Sequence, residues 1–342
     1  GSSTADGTTL VFNNKVKRGS LALNKNLVQP VAGEADSWTF HIKLEGGSGL
    51  YDGKAFIEGD ITVTSTQGAT ISDIPVGVKY TVTEVNKDGT RYETSDEVTE
   101  AQTIVEGPNN NVTIKNERLY SNLTVKKLVD YNETTSVAPA NDDFYIVVKL
   151  GDGSVSVEEG SATYVANGKY VFKRKANGEA TITGIPTGTT YTVEEYLDEA
   201  LTQPVAERMT GTTQEGYSQT VRDPNSGTIV KNSETVTVQN HYYQPKYTEK
   251  TVTKTWGVPD KILVGESIAV QLYQKDVATS ETKPYGGLVT LNKETVDKDG
   301  AWIYTWSNLP EYAGDGGHAY TYYVEEVSVN YGDLKAEVEA YL

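Results

Sequence analysis

Three glutamates each end a stretch of the same pattern and could take part in chemistry. In this pattern an apolar-Pro turn and a glycine precede a strand of alternating residues. Side chains in a strand alternate between two faces, so each Glu shares a face with the Tyr and Val before it. A carboxylate on a buried face needs a partner or a proton. The stretches are residues 74–84 (IPVGVKYTVTE, ending at Glu84), residues 185–195 (IPTGTTYTVEE, ending at Glu195) and a longer version at 309–326 that ends at Glu326.

A lysine and an asparagine recur beside these glutamates. Each lysine ends an alternating strand on its apolar face, and each asparagine ends a strand that reads apolar-x-apolar-x-Asn. The lysines are Lys25, Lys127 and Lys254, and the asparagines are Asn116 and Asn240, with a similar stretch before them that ends at Asn14. Lys126 is an alternative to Lys127, but its parity points outward.

The three residue types together could form an amide bond. Burial lowers the pKa of a lysine and raises that of a glutamate, because it disfavours both charged forms. A neutral lysine amine is a nucleophile, and a protonated glutamic acid can polarise the Asn carboxamide. The product would join Lys Nζ to Asn Cγ with loss of ammonia. Any one of these residues alone is more simply explained as part of a solvated strand face. The repetition of the whole set favours the chemistry.

The repeats divide the 342 residues into modules. Module one spans 19–118, module two 119–245, and module three 246–342, which is predicted to lack its last strand. Residues 1–18 are predicted to be the last strand of an upstream module plus a linker. Short connectors between modules predict a semi-rigid rod.

Composition narrows the classes of fold and function. Tyr is abundant (23 against 5 Phe), and Thr and Val dominate the alternating runs, which favours strands over helices. The formal net charge of −17 argues against a nucleic-acid partner. The absence of cysteine excludes disulfides, thiol catalysis and Cys-based metal sites. No apolar run is long enough to span a bilayer, so no membrane insertion is expected.

As a set, these motifs resemble the Cna B-type domains of Gram-positive surface proteins and pilins. Module three is most similar, with Val252-Thr253-Lys254-Thr255-Trp256, residues 270–273 (VQLY) and residues 322–326 (YYVEE). The resemblance implies an all-β fold of tandem immunoglobulin-like β-sandwich modules, each with an intramolecular Lys–Asn isopeptide bond assisted by Glu. Carried over residue by residue, the sets are Lys25, Glu84 and Asn116; Lys127, Glu195 and Asn240; and Lys254 with Glu326 alone.

The resemblance also implies a function and a location. We expect a structural stalk or backbone region of a secreted, cell-surface adhesin or pilin, which is anchored to the cell wall in the full-length protein. It implies no cofactor and no enzymatic turnover beyond a single self-crosslinking event. Expected partners are other surface or pilus subunits and, through the full-length protein, a host extracellular-matrix protein or glycan.

Three other interpretations were weighed. The histidines at 41, 241 and 318 are scattered, so no metal site is predicted, although an acidic stretch at 93–97 could bind calcium weakly. Residues 243–246 (YQPK) faintly resemble a pilin linkage motif and are better explained as a proline-stiffened linker. The alternative function is a ligand-binding adhesin, with the polar stretch 197–233 of module two as the candidate non-strand binding insertion.

Overall fold

The computed structural model describes residues 13–131, 142–151, 168–256 and 265–334, together with the backbone of 163–166. The described residues form 25 β-strands and one short 3₁₀ helix at Gly332–Leu334. The strands pair into several separate sheets that follow one another along the chain. This confirms the prediction of an all-β fold of tandem β-sandwiches. Within the same residues, no helix has the length and hydrophobicity needed to cross a membrane.

Module one contains ten strands in two layers. One layer has the order β4-β3-β6-β1-β10-β8 and the other β5-β2-β7-β9. The first and last long strands, β1 and β10, lie side by side and parallel. The strands are β1 (Arg18–Val28), β2 (Trp38–Glu45), β3 (Gly49–Tyr51), β4 (Lys54–Phe56), β5 (Glu58–Val63), β6 (Ala69–Pro75), β7 (Lys79–Glu84), β8 (Tyr92–Ser95), β9 (Val98–Thr103) and β10 (Gly107–Arg118).

Module two repeats this plan. One layer has the order β15-β11-β19-β17 and the other β13-β14-β12-β16-β18, and the first strand β11 again pairs in parallel with the last strand β19. The strands are β11 (Tyr120–Tyr131), β12 (Phe144–Leu150), β13 (Thr163–Ala166), β14 (Lys169–Arg174), β15 (Glu179–Pro186), β16 (Thr190–Tyr196), β17 (Gly216–Asp223), β18 (Ser226–Thr228) and β19 (Glu234–Tyr243).

Module three departs from the plan at its first strand. In the described residues β20 pairs only with β24, whereas β1 and β11 each pair on both edges. The second layer is built on β21, which pairs with β22, β23 and β25. The strands are β20 (Tyr247–Lys254), β21 (Ser267–Asp276), β22 (Thr282–Pro284), β23 (Val289–Asn292), β24 (Trp302–Pro310) and β25 (Tyr320–Asn330).

The cores follow from strand alternation. In β7 the buried side chains are Tyr80, Val82 and Glu84, and in β16 they are the equivalent Tyr191, Val193 and Glu195. Each set packs into one apolar cluster between the two layers of its module. A period of two therefore places a carboxylate in each of these two cores.

The structure contradicts one sequence prediction, and a second lies mostly outside the described residues. The polar stretch 197–233 was expected to be a non-strand insertion, but it contains β17 and β18, and β17 extends the layer that carries β19. That expectation was wrong, because a bulge between Gln219 and Val221 breaks the alternation that marks a strand. The predicted strand ending at Asn14 lies mostly outside the described residues; Asn13 and Asn14 are exposed and lie in no strand. Residues 335–342 also lie outside the described residues.

Candidate functional site: buried Lys–Glu–Asn clusters

In module one, Glu84 lies between Lys25 and Asn116. The Lys25 ammonium and the Glu84 carboxylate form a buried ion pair. Asn116 Nδ2 donates a hydrogen bond to Glu84 Oε1 at 3.0 Å. All three residues are buried in the core between the layers. The structure therefore brings together the three residues that the sequence assigned to this module.

Module two contains the same arrangement. Lys127 Nζ lies 2.9 Å from Glu195 Oε1, and Asn240 Nδ2 donates to the same oxygen at 3.1 Å. The side chains of Lys127 and Glu195 are fully buried. Lys126, the alternative lysine, is exposed.

The strand register accounts for this repeated geometry. Lys25 lies opposite Ile114 in the β1–β10 ladder, so Asn116 lies two residues further on and on the same face. Lys127 lies opposite Val238 in the β11–β19 ladder, which places Asn240 at the same offset. The lysine and asparagine thus come from neighbouring strands of one layer. The glutamate reaches them from β7 or β16 in the opposite layer.

Burial shifts the pKa values of these groups in the direction that the chemistry needs. Burial lowers the pKa of Lys25, against the opposing effect of Glu84. It lowers the pKa of Lys127 to about 8, again against the attraction of Glu195. The pKa of Glu195 is raised by burial, which outweighs Lys127 and the hydrogen bond from Asn240. A neutral amine beside a protonated carboxylic acid is therefore accessible in module two.

Several buried polar atoms of the clusters have no hydrogen-bond partner among the described residues. They are Asn116 Oδ1, Asn240 Oδ1, Lys127 Nζ and Glu195 Oε2. Lys127 Nζ is within ion-pair distance of Glu195 but lacks the geometry of a hydrogen bond. A protonated Glu195 could donate a hydrogen bond from Oε2 to the Asn240 carboxamide oxygen. This requires only that the Asn amide be flipped, which exchanges its oxygen and nitrogen.

An aromatic ring covers each lysine. The Nζ atom of Lys25 lies 4.4 Å from the ring centroid of Trp38, and that of Lys127 lies 4.3 Å from Phe144. These rings exclude water and favour a cation over their faces. Sequence analysis did not single out Trp38 or Phe144. Their position as the first residue of the second long strand of each module is a signal that could have identified them.

Module three holds a looser version of the site. Lys254 Nζ lies 2.9 Å from Glu326 Oε2, but the side chains are 23% and 39% exposed. Trp256 stacks over Lys254 with a centroid distance of 4.5 Å. In the part of module three that the structure describes, no asparagine hydrogen-bonds to either side chain. The two residues predicted for this module do meet, without a third member.

The remaining candidates do not assemble a metal centre. Among the residues that the structure describes, no group of three or more His, Cys, Asp or Glu could hold a metal ion. His41 pairs with Asp60 at 2.7 Å on the surface. His241, in contrast, is buried and faces Asp315 of module three at 2.9 Å. Sequence analysis missed this contact because its partners come from distant elements.

Comparison with known families identifies one module directly. Residues 250–340 match the model of the Cna protein B-type domain. Module three therefore contains the segment that is similar to the Cna B-type domain family. Residues 21–118 and 121–242 match two further family models, which are described as domains of unknown function, DUF5979 and DUF7601. No curated protein shows significant sequence similarity to this chain.

Solved structures similar to this chain include two major pilins and one further bacterial protein. A major pilin from Streptococcus pyogenes is 17% identical with a TM-score of 0.36, covering 68% of this chain and 100% of the pilin. The T3.2 major pilin of S. pyogenes is also 17% identical with a TM-score of 0.36, covering 67% and 98%. The Bacillus anthracis TIE protein is 15% identical with a TM-score of 0.34, covering 92% and 47%.

Proposed function

We propose that this chain is a structural stalk region of a Gram-positive cell-surface adhesin or pilin, in which modules one and two are crosslinked by amide bonds that they form themselves. The observation that carries the proposal is the repeated cluster in which Glu84 contacts Lys25 and Asn116, and Glu195 contacts Lys127 and Asn240. Modules one and two, which match different family models, hold the same three residue types at the same strand offset.

The proposed reaction balances without a cofactor. The neutral Lys Nζ attacks Asn Cγ, and the Asn amide nitrogen leaves as ammonia. The glutamic acid donates its proton to the carboxamide oxygen as the amine attacks, and the carboxylate that remains takes a proton from the attacking nitrogen and passes it to the leaving nitrogen. The glutamate regains its own proton when the carbonyl re-forms and ammonia departs. The folded core holds the amine and the carboxamide next to each other, and this high effective concentration accelerates the reaction. The protein product is one new amide between Lys25 and Asn116, or between Lys127 and Asn240.

The bond would lie where tension enters each module. It joins the first strand to the last, which are already parallel neighbours. In module one it would join residues 91 positions apart (116 − 25), and in module two residues 113 positions apart (240 − 127). Tension applied at the two ends of a module would then pass through a covalent bond, and the enclosed residues could not be extended. Such modules suit a stalk that holds a binding tip away from the cell wall.

Location and partners follow from the similarity to the Cna B-type domain family and remain part of the proposal. We expect a cell-surface protein that associates with other surface or pilus subunits. Part of the stretch 197–233, the candidate for ligand binding, extends a sheet of module two, and another part contacts module three. The stalk is therefore the function that the contacts favour.

Single-molecule force spectroscopy tests the stalk function. When the chain is pulled from its ends, modules one and two should show no unfolding step, and Glu195→Ala should release one step from module two. Glu194→Ala is a matched control, because Glu194 is the sequence neighbour of Glu195 but forms a surface pair with Lys149. Full-length unfolding steps from both modules of the parent chain would overturn the proposal.

A further inference from the structure

The two junctions between modules are built on the same turn, which is the apolar-Pro turn of the repeated stretch. At the first junction Thr187 N donates to Leu119 O at 3.0 Å. At the second, Glu311 N donates to Lys246 O at 2.9 Å. In both cases the connector that enters a module pairs with the residue after the turn proline. The turn of each of these modules therefore lies against the module's own first residue, next to the end of the preceding module.

At the second junction, Asp315 of module three is buried against module two. Arg208 binds it in a bidentate fashion, with Nε 2.8 Å from Oδ2 and Nη2 2.7 Å from Oδ1. His241 Nε2 lies 2.9 Å from Asp315 Oδ1, and His241 Nδ1 faces Asp130 at 3.3 Å. Bidentate pairs fix orientation as well as distance. One acidic side chain of module three is thus hydrogen-bonded by Arg208 of module two and lies within ion-pair distance of His241, whose Nε2 lacks the geometry of a hydrogen bond.

Backbone contacts tighten the same junction. Gly211 N donates to Asp315 O at 2.8 Å, and Asp315 N donates to Thr212 O at 2.9 Å. The approach is so close that a Cβ on Gly314 would lie 2.6 Å from Gly211 O, and Gly314 has a φ of +110°. Only glycine fits such a position without displacement. The loops of the two modules therefore meet in a single relative orientation.

The first junction uses a comparable device. Arg118, the last residue of module one's β10, is buried and pairs with Glu34 at 3.0 Å. It also donates to Thr187 Oγ1 at 3.0 Å and to Thr187 O at 2.7 Å in module two. At both junctions a guanidinium of the preceding module contacts the loop that follows the turn proline. The same contact between an arginine and the loop of the next module occurs at both junctions, which argues that it helps to position the modules.

We propose that Arg208, His241 and Asp315 form a lock that holds module three at a fixed angle to module two. This inference is independent of the amide bonds. The pKa of Asp315 is lowered, because the pairs with Arg208 and His241 outweigh the effect of burial, so the carboxylate remains charged in the lock. Buried ion pairs add little net stability but penalise arrangements that leave one charge alone. The lock thus sets orientation, and it limits bending of the stalk.

Distance measurements between spin labels test the lock. The chain has no cysteine, so Ser226→Cys in module two and Thr282→Cys in module three, both exposed, give a unique label pair. The parent should show one narrow distance distribution. Asp315→Asn removes the charge without changing the shape, and we expect the ratio of locked to unlocked conformers to fall about tenfold or more. Arg208→Ala, which leaves module three unaltered, should broaden the distribution similarly.

Two controls separate the lock from general damage. Asp276→Asn alters a half-buried carboxylate of module three that pairs with the exposed His318, away from module two, so it should leave the distribution narrow. A second label pair, Glu100→Cys with Ser226→Cys, reports the first junction and should not respond to Asp315→Asn. The proposal is overturned if Asp315→Asn and Arg208→Ala keep the parent width, or if Asp276→Asn broadens it equally.

Discussion

Modules two and three contain a lysine–glutamate pair at the same separation but in different surroundings. The Nζ–Oε distance is 2.9 Å in both. In module two the pair is fully buried and Asn240 completes it, whereas in module three Lys254 and Glu326 are 23% and 39% exposed. The comparison shows that the same ion-pair distance occurs in two different environments. For the proposed crosslinking, burial and an Asn-bearing last strand are what module two has and the described part of module three lacks.

The difference arises from the strand beside the lysine. In modules one and two the lysine strand has a neighbouring strand on both edges. Its parallel neighbour supplies the asparagine and shields that edge of the lysine strand from solvent. In the described part of module three, β20 has β24 on one edge only. Solvent then reaches Lys254, and water weakens both the ion pair and the effect that burial would have on the pKa values of the two groups.

The largest effect should come from removing the glutamate of module two. Glu195→Ala prevents the crosslink, whose closed loop of about 100 residues is worth about 4–5 kcal/mol, and leaves Lys127 buried without its partner. We expect module two to lose at least that much unfolding free energy, measured by denaturant titration. Glu194→Ala, which breaks only a surface pair, should cost less than about 1 kcal/mol. Equal losses in the two variants would contradict the account.

A smaller effect should appear as a pH dependence once the crosslink is blocked. In Asn240→Ala, Lys127 keeps a folded pKa of about 8 against an ordinary value of 10.5. Between these values the unfolded chain binds more protons, so the unfolding free energy of module two should rise with pH, by about 1–3 kcal/mol. The raised pKa of Glu195 acts oppositely, because its contribution is present below the ordinary value of 4.5 and is lost as pH rises through the folded pKa.

Denaturant titrations of Asn240→Ala at pH 8 and pH 10 measure this rise. The double variant Asn240→Ala/Lys127→Met carries no titrating lysine at this position and serves as the control. A stability that is flat or falling over this range in Asn240→Ala, with the control unchanged, would show that Lys127 is not perturbed by burial.

The smallest effect is expected in module three. Glu326→Ala removes the partner of a lysine that solvent already reaches, so the loss of stability should stay within about 1 kcal/mol. Thermal unfolding of the parent and the variant measures it. A loss as large as that of Glu195→Ala would mean that Glu326 belongs to a closed cluster like those of the first two modules.

The sequence predicted the clusters because they depend on local rules. A period of two determines which face Lys25, Glu84 and Asn116 occupy, and the repeats show that the faces belong to one core. The covering ring of Trp38 could not be predicted as readily, since it belongs to the opposite layer and only the packing of the two layers places it over Lys25. His241 and Asp315 come from different modules, and no periodicity records such a contact. The strand at Gly216–Asp223 was missed because its bulge removes the alternation.

The intact mass of the purified protein tests the central claim most directly. Each amide bond removes one ammonia, about 17 Da, so the chain should be lighter than its sequence by about 34 Da. Glu84→Ala and Glu195→Ala should each recover one ammonia beyond the change in side-chain mass, and Glu194→Ala should recover none. A parent mass equal to that of the sequence would contradict the account, because Lys25, Glu84 and Asn116, like Lys127, Glu195 and Asn240, would then be joined only by non-covalent contacts.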